Sequence, residues 1–286
     1  MRIPEYTEIQ IPKAPRAMTK GLALKEILGE QAVGYLARNI SLVYTDFQMH
    51  EFYRIATTGL DGLALMDRGR QMAAALFKTL PNNYQEAIRI LMASLPPPNP
   101  DSEEFGLAPL FYLPYSFFIA QHGLSHQYNG GYDPFNLSME AQYQLTKRSS
   151  AEFSIRPFLI EQQDRTLEQL SFWLDDASNH VRRLCSEGTR PRLPWGVRIP
   201  SFINNPAPII PILETLKNDS SLYVRRSVAN SLGDIAKDHP TLVFDTCFRW
   251  LESADKELKW VIRHGVRYHA KKNHPVALQL RKEAKG

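Results

Sequence analysis

Apolar positions recur along most of this chain at intervals of three and four, not two. Residues 22–40 place Leu24, Ile27, Leu28, Leu36 and Ile40 at helical spacings, and residues 62–80 and 83–95 keep the same period, which predicts amphipathic helices. No run alternates as a strand would. Residues 107–120 are apolar and aromatic almost throughout, the pattern of a buried helix. Between these runs, LPPPNPDSEEFG (Leu95–Gly106) and HQYNGGYDPFN (His126–Asn136) are rich in proline and turn formers and read as loops. Residues 1–20 hold three prolines and little periodicity, so an irregular N-terminal arm is expected there, followed by one helical domain over 21–286.

The second half repeats itself, most clearly over 138–286. A Leu- or Ile-rich helix is followed by one that begins with a hydrophobic and a basic residue. Aligning LTKRSSAEFSIR, HVRRLCSEGTR, YVRRSVANSLG and WVIRHGVRYHA superposes Arg148, Arg183, Arg226 and Arg263, at spacings of 35, 43 and 37 residues. Two helices per period of about 40 residues predict HEAT-like repeats stacked into a curved α-solenoid, because one helix pair cannot bury its own apolar face. Thr166 with Gln169 reads as a capping box, and Asp238 with Pro240 as another helix start.

Helical geometry assigns faces to these residues. Val224, Val228, Leu232 and Ile235 form an apolar stripe with Arg226 and Asn230 nearly opposite it; Val181, Leu184, Cys185 and Gly188 take the core side and leave Arg183, Glu187 and Arg190 on the other. Second helices of stacked repeats line one concave surface, so the arginines should form a basic row across it that suits a nucleic-acid backbone.

Charge sharpens this expectation. Residues 1–143 hold 11 Lys and Arg against 14 Asp and Glu, and residues 144–286 hold 23 against 16. A basic half beside a slightly acidic one fits either a polyanion-binding surface confined to one part of the fold or an uneven solvated surface. Two cysteines make no disulfide framework, no secretory signal is read at residues 1–20, and no segment is apolar for long enough to span a bilayer. A soluble cytoplasmic protein without membrane attachment is expected.

The alignment that stacks the arginines also stacks Glu152 on Glu187. One reading is structural: Arg148 with Glu152 and Arg183 with Glu187 are i,i+4 ion pairs worth about 0.2–0.5 kcal/mol each. Three features favour a functional reading. Glu187 lies in the last turn before Pro191, where the helix dipole disfavours an anion. Exposed acids weaken a phosphate-binding groove. Trp195 is held in the turn RPRLPWG by Pro191 and Pro194, close to that helix end, either capping a core or presenting its ring. Carboxylates facing a sugar can stabilise the positive charge that develops as an N-glycosidic bond breaks, and an aromatic ring can hold the sugar or base.

The stretches TKRSSAEFSIRPFL (Thr146–Leu159), HVRRLCSEGTRPRLPW (His180–Trp195) and SLYVRRSVANSLGDIAKDHP (Ser221–Pro240) closely resemble the AlkC branch of the HEAT-like-repeat DNA glycosylases, relatives of AlkD. The likeness is strong from about Ser138 to the C-terminus and weaker through GLDGLALMDRGRQMAAAL and APLFYLPYSFFIAQHGL. The resemblance implies excision of small cationic N-alkylated bases, of the 3-methyladenine and 3-methylcytosine class, from double-stranded DNA by a bacterial cytosolic enzyme. It implies catalytic roles for Glu152, Glu187 and Trp195. Arg148, Arg156, Arg183, Arg190, Arg192, Arg226 and Arg263 are chosen as DNA contacts from charge and helix face.

Many members of that branch carry a C-terminal immunoglobulin-like domain, which is not read in this sequence, and the 126–136 loop looks like an insertion. A noncatalytic binder of damaged DNA and a protein-binding HEAT scaffold are the alternatives. A monomer is expected, and no cofactor or metal is indicated: His122 and His126 lack a third ligand, and His264, His269 and His274 read as solvent- or phosphate-facing.

Overall fold

The same seven-residue device starts two of the helices and shows how local chemistry sets the repeat. In Asp176–Arg182 and Asp219–Arg225 the Asp carboxylate accepts the backbone N–H of the Ser two residues on (2.8 Å in both), and that Ser hydroxyl caps the following helix. The Arg one turn later reaches back to the carbonyls of the same turn: Arg182 to Asp176 and Ala177, Arg225 to Asp219 and Ser220. Caps of this kind satisfy N–H groups that a helix leaves orphaned. Arg182 also forms a bidentate pair with Asp219, which fastens one repeat to the next.

A computed structural model describes residues 10–14, 21, 23–99 and 107–285. Among these every regular element is a helix, and the chain gathers into two compact units, one through Ser154 and one from Ile155. The first unit contains α1 (Glu30–Val43), α2 (Met49–Thr57), α3 (Leu65–Thr79), α4 (Tyr84–Ala93), α5 (Leu113–His122) and α6 (Phe135–Thr146). Helix α3 packs on α2 and α5, and α4 on α6. Gly69 permits the close approach of α3 to α5, since a Cβ there would lie 2.8 Å from the Phe117 ring.

The predicted helix over 22–40 is broken at Gly29 into a 3-10 turn (Leu24–Leu28) and α1. The buried helix over 107–120 begins as a 3-10 turn and becomes α5. Helix α2 has no counterpart in the sequence reading. In the predicted 126–136 loop, Gly130 and Gly131 take positive φ as turn formers should, and α6 starts at Phe135. Most of the predicted arm and residues 100–106 of the proline-rich loop lie outside the described residues. Within the arm, Ile11 is buried and the Pro12 carbonyl accepts from Asn39 Nδ2 at 3.3 Å.

The second unit contains α7 (Ile155–Glu161), α8 (Gln163–Trp173), α9 (Asn179–Gly188), α10 (Pro200–Asn204), α11 (Ile210–Leu216), α12 (Leu222–Ile235), α13 (Pro240–Leu251), α14 (Lys256–Gly265), α15 (Arg267–Lys271) and α16 (Pro275–Glu283). The pairs α8–α9, α11–α12 and α13–α14 are stacked helix pairs. Their second members touch in series, α9 on α12 and α12 on α14. The expected core faces hold: Val181, Leu184, Cys185, Val224, Val228, Leu232 and Ile235 are all buried. Helix α13 starts at Pro240 as expected. The capping box does not form, because α8 begins three residues earlier and Thr166 is inside it, buried, donating to the Gln162 carbonyl at 2.8 Å.

Candidate nucleic-acid interface

Glu187 sits in the last turn of α9 and is buried, at 5% exposure. Its Oε1 accepts from Arg190 Nη1 at 2.6 Å and pairs with Arg183 Nη2 at 3.5 Å, and its Oε2 accepts from the Ser227 hydroxyl on α12 at 2.7 Å. Arg190 Nε continues to Asp234 Oδ2 at 2.8 Å, and Lys237 Nζ closes the chain on Asp234 Oδ1 at 2.9 Å. Three cations and two carboxylates therefore alternate across the C-terminal ends of α9 and α12 and the residues that follow them.

Burial pushes the Glu187 carboxyl up, but Arg183 and Arg190, with the Ser227 hydrogen bond, outweigh it and hold the group below its ordinary value. Glu187 is thus ionised at neutral pH and a weak proton acceptor, suited to act through its field. On α14, burial and then Arg267 and Arg226 push His264 down to about 4, so its imidazole is neutral at pH 7. That ring stacks on Trp260 at 4.9 Å and faces Asn230 Oδ1 at 3.3 Å.

After α9 the chain makes a closed turn, with Ile199 N–H bonded to the Pro191 carbonyl at 3.2 Å. The Arg156 side chain from α7 plugs this turn. Fully buried, it donates to the carbonyls of Gly188 (2.9 Å), Pro191 (3.4 Å) and Val197. At the tip Trp195 has φ +63° and is 59% exposed. A left-handed backbone under a bulky side chain costs about 1–3 kcal/mol and persists only where the surroundings enforce it. Here the ring gains no burial in return. Trp195, Arg192, Arg198, Lys237, Asp238 and Tyr268 line an open cleft of about 590 Å³. Lys237 belongs both to this cleft and to the Glu187 network.

The other expected site residues fall into distinct roles. Helix α6 stops at Thr146, so Arg148 and Glu152 do not form the helical i,i+4 pair that the sequence allowed. Arg148 donates to the Pro96 and Gln144 carbonyls (2.6 and 2.8 Å); Glu152, in the turn before α7, accepts from the Ser150 hydroxyl at 2.7 Å. Arg183 lies over the Tyr223 ring at 4.6 Å. Arg192 forms a bidentate pair with Asp238 (2.7 and 2.8 Å), and Arg263 donates to the Ala284 carbonyl. A phosphate reaches Arg156 or Arg190 only if buried internal bonds open first. Arg226 is exposed and makes no hydrogen bond or ion pair among the described residues.

Asp234, Ser227, Lys237, Asp238 and Tyr268 are the site residues that sequence reasoning missed. A signal for the acids existed: Arg190–Asp234 and Arg192–Asp238 are separated by 44 and 46 residues, close to the repeat period.

Stacked helix pairs joined by Arg–Asp ties, with an ionised carboxylate beside an exposed tryptophan cleft, define a HEAT-like-repeat protein with a polar site on its second helices. The HEAT repeat family matches residues 209–239, which span α11 and α12. An uncharacterized protein of Bacillus subtilis (strain 168), YhaZ, is 38% identical over 260 residues, covering 90% of this chain and 67% of its own length. Among solved structures, Pseudomonas fluorescens alkylpurine DNA glycosylase AlkC, bound to DNA containing an abasic site analog, superposes with a TM-score of 0.78 at 37% identity, covering 91% of this chain and 67% of that one. AlkD2 from Streptococcus mutans matches at 22% identity, a TM-score of 0.42, and coverage of 84% and 98%. The chain belongs to the AlkC family.

Proposed function

We propose that this protein is a DNA glycosylase of alkylation repair, acting in the cytoplasm on double-stranded DNA that carries cationic N-alkylated bases of the 3-methyladenine and 3-methylcytosine class. The observation that carries this reading is the pairing of an ionised, buried Glu187 with the exposed Trp195 of the adjoining turn, in a chain 37% identical to an alkylpurine DNA glycosylase. Among the described residues no helix is long and apolar enough to cross a membrane.

The chemistry asks little of a general acid, because a cationic base already leaves well. The C1′–N bond breaks with its electron pair passing to the base, and positive charge grows on the sugar. A fixed anion stabilises that charge without reorganising. Water then bonds to C1′ and loses its proton to a carboxylate or to solvent. Glu187, below its ordinary pKa, serves the first task better than the last. Glu152 is the second proposed carboxylate, on the sequence correspondence. Trp195 is proposed to pack on the sugar or base, and Arg226 to contact phosphate. The described helices are read as one HEAT-like-repeat domain over 21–286, working as a monomer.

The experiment is release of methylated bases from alkylated duplex DNA. Release by the intact protein that is lost in Trp195→Ala, whose exposed ring the fold does not need, supports the assignment. Absence of release from the folded protein would sink it. One observation favours a second reading, a noncatalytic binder of damaged DNA: both Glu187 oxygens already have partners in Arg190, Arg183 and Ser227. Salt-sensitive binding of damaged duplex with no base released would establish that reading instead.

A further inference from the structure

Many basic side chains of the second unit, expected DNA contacts among them, are committed to the protein itself, which raises the question of where that unit would hold a polyanion. Arg182, Arg190 and Arg192 pair with Asp219, Asp234 and Asp238, Arg249 and Lys217 with Glu214, and Arg156 with backbone carbonyls. The last two helices are different. Lys271 at the end of α15 and Arg281, Lys282 and Lys285 on and after α16 line one open cleft of about 280 Å³ together with Ala270 and Leu278. The three lysines are exposed, Arg281 is half-buried, and among the described residues none of the four side chains forms a hydrogen bond or ion pair. The acid nearest in sequence, Glu283, accepts from Gln279 at 2.8 Å.

Helix dipoles favour cations near C-terminal ends, and that accounts for Arg281 and Lys282 on α16 and for Lys271 on α15 taken singly. It does not account for four unpartnered cations converging on one concavity. Like charges held close repel one another unless a polyanion neutralises them. Flexible ammonium groups with water-filled space between them suit the sugar–phosphate backbone, which needs charge at intervals and no base-specific contact.

We propose that α15 and α16 form a second nucleic-acid contact that takes backbone phosphates of duplex DNA away from the reacting nucleotide. The inference rests on the nucleic-acid part of the proposed function but not on its chemistry. It assigns this surface to affinity and the Trp195 cleft, which Lys237 joins to the Glu187 network, to the reaction.

The test uses the full chain and an undamaged duplex oligonucleotide, with binding measured across a salt series. Replacing Lys271, Arg281, Lys282 and Lys285 together by Gln is expected to reduce the slope of log K against log salt by roughly 3–4, at about 0.9 for each phosphate no longer neutralised. Replacing the three lysines by Arg keeps the charge and should keep the slope. On alkylated DNA the Gln variant is expected to need more protein for half-saturation while its maximal single-turnover rate of base release is unchanged.

An unchanged slope in the Gln variant overturns the inference, and so does a wild type that binds no duplex. A reduced slope in the Arg variant overturns it too, by pointing to packing. Loss of binding to phosphatidylserine vesicles with duplex binding intact would give the surface to a membrane, and overturn it likewise. If the slope falls as expected but the wild type releases no base, the phosphate-binding role of α15 and α16 stands and the glycosylase reading falls.

Discussion

Trp195 combines a large exposed ring with a backbone angle of φ +63° that bulky residues avoid. Asn takes that angle at lower cost, and removing the ring exposes little core. Trp195→Asn is therefore expected to leave the unfolding midpoint unchanged or to raise stability by up to about 1 kcal/mol, while base release collapses. Thermal melts beside release assays check this, and a clear loss of stability would show that the ring serves the fold. Glu187 behaves oppositely. Glu187→Gln takes a charge out of a buried network and is expected to cost about 3 kcal/mol and to slow release about 10²–10³-fold, assayed where the variant is still folded. Because the Glu187 carboxyl titrates below its unfolded value near 4.5 in the folded protein, its stabilisation is complete above that pH and is lost as pH falls through the lower folded value. Acid unfolding should thus be less steep there in the variant.

His264 has the reverse chemistry with the same slope. Held down to about 4 against 6.5 when unfolded, it binds fewer protons folded than unfolded between those values, so its contribution to stability rises with pH across that window and is fully present above it. In His264→Gln, chemical-denaturant stability should depend less on pH between 4 and 6.5. An unaltered profile would show that the imidazole titrates normally.

Among the elements, α7 and α9 meet at Gly188, where an added Cβ would sit 2.7 Å from Ile155 Cγ2. The gain in helix propensity from alanine is about 1 kcal/mol; overpacking of this kind costs about 1–3 kcal/mol. A net loss of stability is expected for Gly188→Ala, measured by urea titration. The helix pairs themselves were legible, because a period near 40 and an apolar stripe at 3.6 survive in the residue order. The boundaries were less so. Thr166 and Gln169 matched a capping pattern, yet α8 starts at Gln163, since a short motif says nothing of the turn that precedes it. Helix α2 escaped detection although Met49, Phe52 and Ala56 stand at helical spacings and the last two are buried, for a run of nine residues is too short to establish a period.

At the scale of the molecule, the sequence showed that the second half is basic but not which cations are available. Nothing beside Arg182, Arg190 or Arg192 along the chain marks them as already paired. Their partners Asp219, Asp234 and Asp238 stand 37, 44 and 46 residues downstream, so one repeat's acids neutralise the bases of the one before. Aligning the repeats stacked arginine on arginine and hid this offset. Duplex affinity is accordingly expected to fall with salt by a slope that Arg226→Gln reduces by about 0.9, whereas Arg156→Met leaves the slope alone and lowers the melting temperature. A slope that moved with Arg156 instead would place that guanidinium on phosphate.

Arg156 also bears on how damage would be met. Its guanidinium fills the ring closed between Pro191 and Ile199 and fixes the backbone on both sides of Trp195. The indole therefore projects from a fixed point of backbone, with only its own side-chain torsions left to settle. If the proposed function holds, the duplex would deform more readily than this turn when the two meet, so weakly stacked or easily kinked steps would yield first. Lesions that loosen stacking would be sensed as softness in the DNA before any atom of the altered base is touched.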